Sequence, residues 1–153
     1  MDNNDQVTIE RLKWFGGNKD ALDMLNMFVF IAHMWDDLVD KDKEVTEDQI
    51  NKAFSMCLIY LPMNNFYRQI QYQIIPMWIT VVSGFETANH FEREKDEHGI
   101  EISHSLRYAM GNILAYSIFV CVGSERAKEY LPDMWKAVFF ERFDEYRKEH
   151  LSV

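Results

Sequence analysis

Apolar positions along this chain recur every three or four residues, the period of one helix face, between sparse glycines and prolines that act as stops. Residues 5–15 carry Ile9, Leu12 and Phe15 and are ended by Gly16-Gly17. Asn18 has the chemistry of an N-cap and is expected to start a long helix that reaches about Asp42. Thr46, with Gln49 three residues on, fits a capping box for a helix to about Leu61, because each side chain satisfies the other residue's orphan backbone N–H. Pro62 and Asn64-Asn65 mark the next turn. A very long helix is predicted from Asn65 to about Glu97, bent at Pro76 where a backbone donor is missing. Beyond His98-Gly99, a helix over 101–122 is stopped by Gly123. Ser124 caps a last stretch, interrupted near Pro132, that ends in a charged tail over 142–150. No strand pair, repeat or linker is visible. The expected fold is all-α, five or six helices in a bundle, forming a single domain over residues 1–153.

Composition supports a packed core. The 153 residues are 48% hydrophobic, 14% aromatic and 27% charged, which suits a soluble globular domain. Sixteen basic against 25 acidic residues give a net charge of −9 and remove any global attraction to phosphate backbones, so no nucleic acid is expected as a partner. Cys57 and Cys121 both lie in apolar runs and read as small buried hydrophobes in a reducing, cytoplasmic setting. The start of the chain, Met1-Asp2-Asn3-Asn4-Asp5, is polar and acidic, unlike a signal peptide. No apolar run reaches the ~20 residues that would predict a membrane span.

The candidate chemistry begins at the end of the 18–42 helix. Residues 27–35 are apolar almost all the way round, the mark of a buried helix, and they run into Asp36-Asp37-Leu38-Val39-Asp40. Carboxylates closing such a helix must be solvated, paired or metal-bound. Asp36 and Asp40 stack one turn apart with Asp37 and His33 beside them, an oxygen-rich set that suits Mg²⁺ or Mn²⁺. A solvated acidic end running into Lys41-Asp42-Lys43-Glu44 is the other reading.

A second polar segment, 85–97, places Glu86, Asn89, His90, Arg93 and Glu97 on one arc of the long helix. Short connections make neighbouring helices antiparallel, so this segment is expected level with the aspartates. Phe85, Ala88 and Phe91 define another apolar side, and the charged stripe then faces water. On the following helix His104, Arg107, Tyr108 and Asn112 form a polar row, in which Arg107 offers a donor fork for phosphate oxygens. The same row also reads as the wet edge of an amphipathic helix. Glu101-Ile102-Ser103-His104 has the ExxH spacing of di-iron bundles but no second copy.

The segment from Phe30 to Asp40 resembles the first metal motif of class I isoprenoid synthases, terpene cyclases in particular. In that family an aromatic-rich helix ends in DDxxD, and the aspartates hold Mg²⁺ ions that grip a substrate diphosphate. The family's second motif, Asn-Asp-x-x-Ser-x-x-x-Glu, is matched at its first and last positions by Asn89 and Glu97, while His90 and Arg93 stand at the Asp and Ser positions. The resemblance implies Asp36, Asp37, Asp40, Asn89 and Glu97 as metal ligands. Beside it, the residues suggest Arg93, Arg107 and Tyr108 as catalytic groups around the diphosphate of a small-molecule substrate, with Mg²⁺ or Mn²⁺ as cofactor and aromatic residues such as Phe30, Trp78 and Phe85 lining the pocket. Two further readings stand beside this one. The first is an all-α nucleoside triphosphate pyrophosphohydrolase. The second is a non-catalytic acidic helical module, such as a viral or mobile-element accessory factor, whose partner is another protein or a second copy of the chain.

Overall fold

A computed structural model describes residues 3–41 and 43–151, with side-chain surroundings from residue 6 onward. Among the described residues the protein is all-α, with no strand. Its helices are α1 (Asn3–Trp14), α2 (Lys19–Asp40), α3 (Glu47–Ser55), α4 (Leu61–Met63), α5 (Asn65–Glu94), α6 (Glu97–Arg107), α7 (Gly111–Val138) and α8 (Phe143–Leu151). The expected end of α2 at Asp42 and the first two residues of the polar N-terminal stretch lie outside the described residues. Contacts within the chain divide it into two compact units, residues 1–71 and 72–153.

In the first unit the local signals act as expected. The Asn18 side chain accepts a hydrogen bond from the Ala21 N–H at 3.1 Å, and the capping box of Thr46 and Gln49 is complete. Each cap of this kind stabilises a helix by about 1 kcal/mol. Lys41, in the left-handed region at φ 58°, returns its N–H to the Asp37 carbonyl and ends α2. One element departs from expectation. Instead of continuing as α-helix to Leu61, the chain passes through a π-helical stretch, Met56–Tyr60, before α4. Asn64 then organises the turn: its Nδ2 donates to the Asp20 carbonyl at 2.8 Å and its Oδ1 accepts from the Tyr67 N–H at 2.8 Å. Phe15, Met24, Phe28, Leu61 and Phe66 are buried in this unit.

Helix α5 starts in the first unit, continues into the second and runs through Pro76 without a break. It ends earlier than its sequence suggests. Lys95 takes φ 53° and the Asp96 side chain caps a new helix by accepting from the Gly99 N–H at 2.5 Å, so Glu97 opens α6. Helix α7 contains one non-helical residue, Gly123 at φ 78° and ψ 169°, the break that the sequence predicts there. No break occurs at Pro132. Trp135 packs on Gly111, and these two residues are equidistant from Gly123, so the halves of α7 fold back on each other. The buried side chains of this unit include Ile74, Ile100, Ile113, Ile118 and Met134. Ser103 and Ser117 are buried as well and satisfy themselves by donating to the carbonyls of Gly99 and Ile113, each at 2.8 Å.

One further expectation is revised. Cys57 is exposed and Cys121 half-buried. The segment Glu97–Leu151 includes one 18-residue window long and apolar enough, by length and composition, to cross a membrane, and 28% of that window is buried within the chain.

The close approach at Gly111 gives a direct test of the α7 fold-back. A Cβ there would lie 2.3 Å from Trp135 Cζ3. Gly111→Ala should therefore cost about 1–3 kcal/mol through overpacking, read as a lower midpoint of urea denaturation, although alanine is the better helix former in isolation.

Candidate functional site

The aspartate motif and the second polar segment fall in different units. At the end of α2, Asp36 and Asp37 are half-buried and Asp40 is exposed. Asp37 accepts from Lys43 Nζ at 3.5 Å, a contact open to solvent. The helical wheel brings these carboxylates to one side, but helix register alone does not aim their oxygens at a common point. Among the described residues no group of three or more His, Cys, Asp and Glu side chains is arranged to hold a metal ion.

The first unit holds a different feature roughly two to four turns up α2. A groove of about 520 Å³ is lined by Asp23, Asn26, Met27 and Phe30 of α2, by Lys52, Met56 and Tyr60 of the facing segment, and by Met63 and Asn64. Three methionines and two aromatic rings make its surface apolar and adaptable, since an unbranched thioether fits irregular partners. Lys52 Nζ lies 4.4 Å above the Phe30 ring and holds that wall by a cation–π contact. The π-helical stretch supplies Met56 and Tyr60, and it turns Leu58 outward beside Phe54 to leave them 71% and 62% exposed. Sequence periodicity suggested Phe30 as a pocket residue. It gave no sign of Met56, Tyr60 or Met63, because their positions depend on a π turn that an α-helical wheel does not contain.

In the second unit the residues chosen from sequence are sorted into three surroundings. Arg93 is exposed. Glu97, displaced onto α6, is exposed and ion-paired with Arg147, so it does not share a helix face with Asn89. Asn89 and Arg107 do come together, with Arg107 Nη2 donating to Asn89 Oδ1 at 2.5 Å.

The larger share of that guanidinium goes to Glu92, a residue the sequence reading passed over. Arg107 Nε donates to Glu92 Oε1 at 2.9 Å and Nη2 to Oε2 at 2.5 Å, a fork-to-fork pair. The side chains of Arg107 and Glu92 are only 14% and 10% exposed. Tyr146 of α8 donates its hydroxyl to the same Oε1, and the Phe85 ring lies 4.6 Å from the guanidinium carbon. Burial pushes the Glu92 carboxyl up, but the hydrogen bonds from Arg107 and Tyr146 and the guanidinium charge outweigh it and hold the carboxyl below the ordinary range. Burial raises the Tyr146 hydroxyl, and its bond to anionic Glu92 raises it further.

Tyr108 and His104 belong to the adjoining aromatic cluster. The His104 ring lies between 5.1 and 5.6 Å from Tyr108, Phe139, Phe143 and Tyr146. Its Nε2 lies 3.1 Å from the Glu141 carbonyl. A carbonyl oxygen only accepts, so Nε2 carries the proton. His104 is therefore a core residue bonded to backbone, and Glu101 of the ExxH spacing faces solvent beside His98 at 3.5 Å. The polar groups of this cluster are directed at one another, which leaves Arg107 serving a carboxylate of its own chain in the place of a phosphate. A largely buried guanidinium requires an acidic partner, and Glu92 fills that place.

No family model, no curated protein and no solved structure matches this chain.

The Glu92 network makes stability depend on pH in a defined direction. The folded-state carboxyl titrates below its ordinary value of 4.5, so its contribution is complete above pH 4.5 and is lost as pH falls through the folded value. Tyr146 titrates above its ordinary 10.0, so its contribution is complete below pH 10.0 and is lost as pH rises beyond it. Thermal unfolding should show a plateau between these limits. Arg107→Met leaves a buried carboxylate without its cation and should cost about 3–5 kcal/mol at neutral pH. Tyr146→Phe should cost about 1.5–3 kcal/mol. In Glu92→Gln the acid limb of the stability curve should flatten, a change that a purely steric role for residue 92 would not produce.

Proposed function

We propose that this chain is a protein-binding module that receives the apolar face of a basic amphipathic helix in the groove of its first unit. The single observation that carries this reading is the groove itself, where Met27, Phe30, Met56, Tyr60 and Met63 present an apolar wall. Methionine-rich surfaces of this kind repack around partner helices of varied sequence. A helix laid in a groove anchors through side chains at i, i+3, i+4 and i+7, which matches a wall built from turns of two helical segments. Asp23 and Lys52 balance each other in the groove lining, and the net charge of −9 on the whole chain favours a partner with lysine or arginine flanking its apolar stripe. By comparison, the Glu92 cluster is closed on itself, and among the described residues no group of three or more ligand side chains is arranged to hold a metal ion.

Methionine methyl NMR supplies the test. A helical peptide of about 18 residues with a leucine stripe and lysine flanks is titrated beside a scrambled version and one with glutamate in place of lysine. The lysine peptide should shift the methyl resonances of Met27, Met56 and Met63 and bind at least tenfold more tightly than either control, and Met56→Glu should abolish the shifts. Equal binding by all three peptides, or no movement of those methyls, would refute the groove. A second measurement addresses the diphosphate enzyme. If Mg²⁺ or Mn²⁺ at millimolar concentration raises the melting temperature of the wild type but not of Asp37→Asn, the aspartates hold an ion and the enzyme becomes the better reading. An ion at 100 times its dissociation constant would add roughly 2.7 kcal/mol.

A further inference from the structure

Helix α5 is apolar on two sides. Ile74, Val81 and Ala88 are buried on one of them. On another, Tyr72, Ile75, Ile79 and Val82 recur at alternating spacings of three and four and are exposed by 78%, 46%, 63% and 39%. That spacing is the seam of a coiled coil, in which each apolar residue inserts between four residues of a facing helix. The seam is extended by Arg68 four residues before Tyr72 and by Glu86 four residues after Val82, both exposed. Among the described residues, no ion pair within the chain involves either of them.

The order of these six side chains is self-complementary. A two-fold axis crossing the helix midway between Ile75 and Ile79 places Ile75 opposite Ile79 of an antiparallel copy and Tyr72 opposite Val82, so that a large side chain meets a smaller one. The same axis brings Arg68 opposite Glu86. Two-fold symmetry makes each contact twice, giving four apolar pairs closed at both ends by opposite charges over about 27 Å of helix. A parallel copy would instead set Arg68 beside Arg68 and Glu86 beside Glu86. We infer that the chain forms an antiparallel homodimer through the α5 seam, with Arg68 and Glu86 fixing its direction and register.

Sedimentation of the full chain under reducing conditions, from about 1 to 200 micromolar, tests the pairing at concentrations where interfaces of modest area dissociate. The wild type should pass from monomer to dimer within that range. Ile75→Glu and Ile79→Lys alter exposed positions, so each should keep its helical circular dichroism while dimerising roughly a hundredfold more weakly. Mixed in equal amounts, these two variants should form a heterodimer tighter than either homodimer, because residue 75 of one copy faces residue 79 of the other. Arg68→Glu should weaken the dimer on the order of tenfold, and adding Glu86→Arg should restore it. A wild type that stays monomeric throughout, or a dimer indifferent to both seam substitutions, would overturn the inference. Loss of dimer in both single variants without rescue on mixing would overturn its antiparallel register.

Discussion

The pairing of Arg107 with Glu92, shared with Tyr146, is the constraint around which the second unit is arranged. Two charges taken out of water cost several kcal/mol each unless the geometry is good and the remaining polar atoms find partners. The fold meets that demand from three helices: α5 supplies Glu92 and Asn89, α6 the guanidinium and α8 the tyrosine hydroxyl. Such a junction rewards one relative placement of these helices and penalises others, whereas apolar contact alone tolerates sliding. The ring cluster around His104 occupies the adjoining space, with Tyr146 belonging to both. Removing either charge therefore disturbs more than an ion pair, since the tyrosine that reports to Glu92 also packs against the histidine.

Paired polar groups and exposed apolar surface are segregated among the described residues. The buried polar groups of the second unit are satisfied by their own chain. The apolar groups on the groove of the first unit and on the seam of α5 face outward. Polar residues that are already paired have little left to offer a substrate, while an exposed methionine, tyrosine or isoleucine still gains from being covered. That inversion is the physical basis for reading the molecule through its surfaces.

Much of the helical order was legible in the sequence, because caps and stops act locally. Asn18, Thr46 with Gln49, and Asn64 each specify their turn through a neighbouring backbone group, and Gly123 does so by adopting a positive φ. What escaped was non-local or register-dependent. Lys95 in the left-handed region and Asp96 as a cap split an apparently continuous helix, and that moved Glu97 off the face of Asn89. Glu92 carried no local signal, since its partners come from residues 15 and 54 positions away. The aspartate motif could be seen as a pattern, but a ligand set requires side-chain directions that the pattern does not encode.

The π-helical stretch Met56–Tyr60 also accounts for how one helix serves both a core and a groove. Ala53 and Leu61 are both buried, yet residues eight apart on a regular α-helix point about 80° away from each other. A π turn, in which the Leu61 N–H reaches back to the Met56 carbonyl, absorbs about one residue of phase and returns Leu61 to the side of Ala53. The chain thus behaves as a regular helix with a single inserted residue. The insertion swings 57–60 off the core, and with them the thiol of Cys57, so the exposed surface of this segment is the geometric residue of one extra amino acid. Removing any one residue between 56 and 60 would let the helix revert to uniform pitch, keep the buried face in register and erase the wall of the groove.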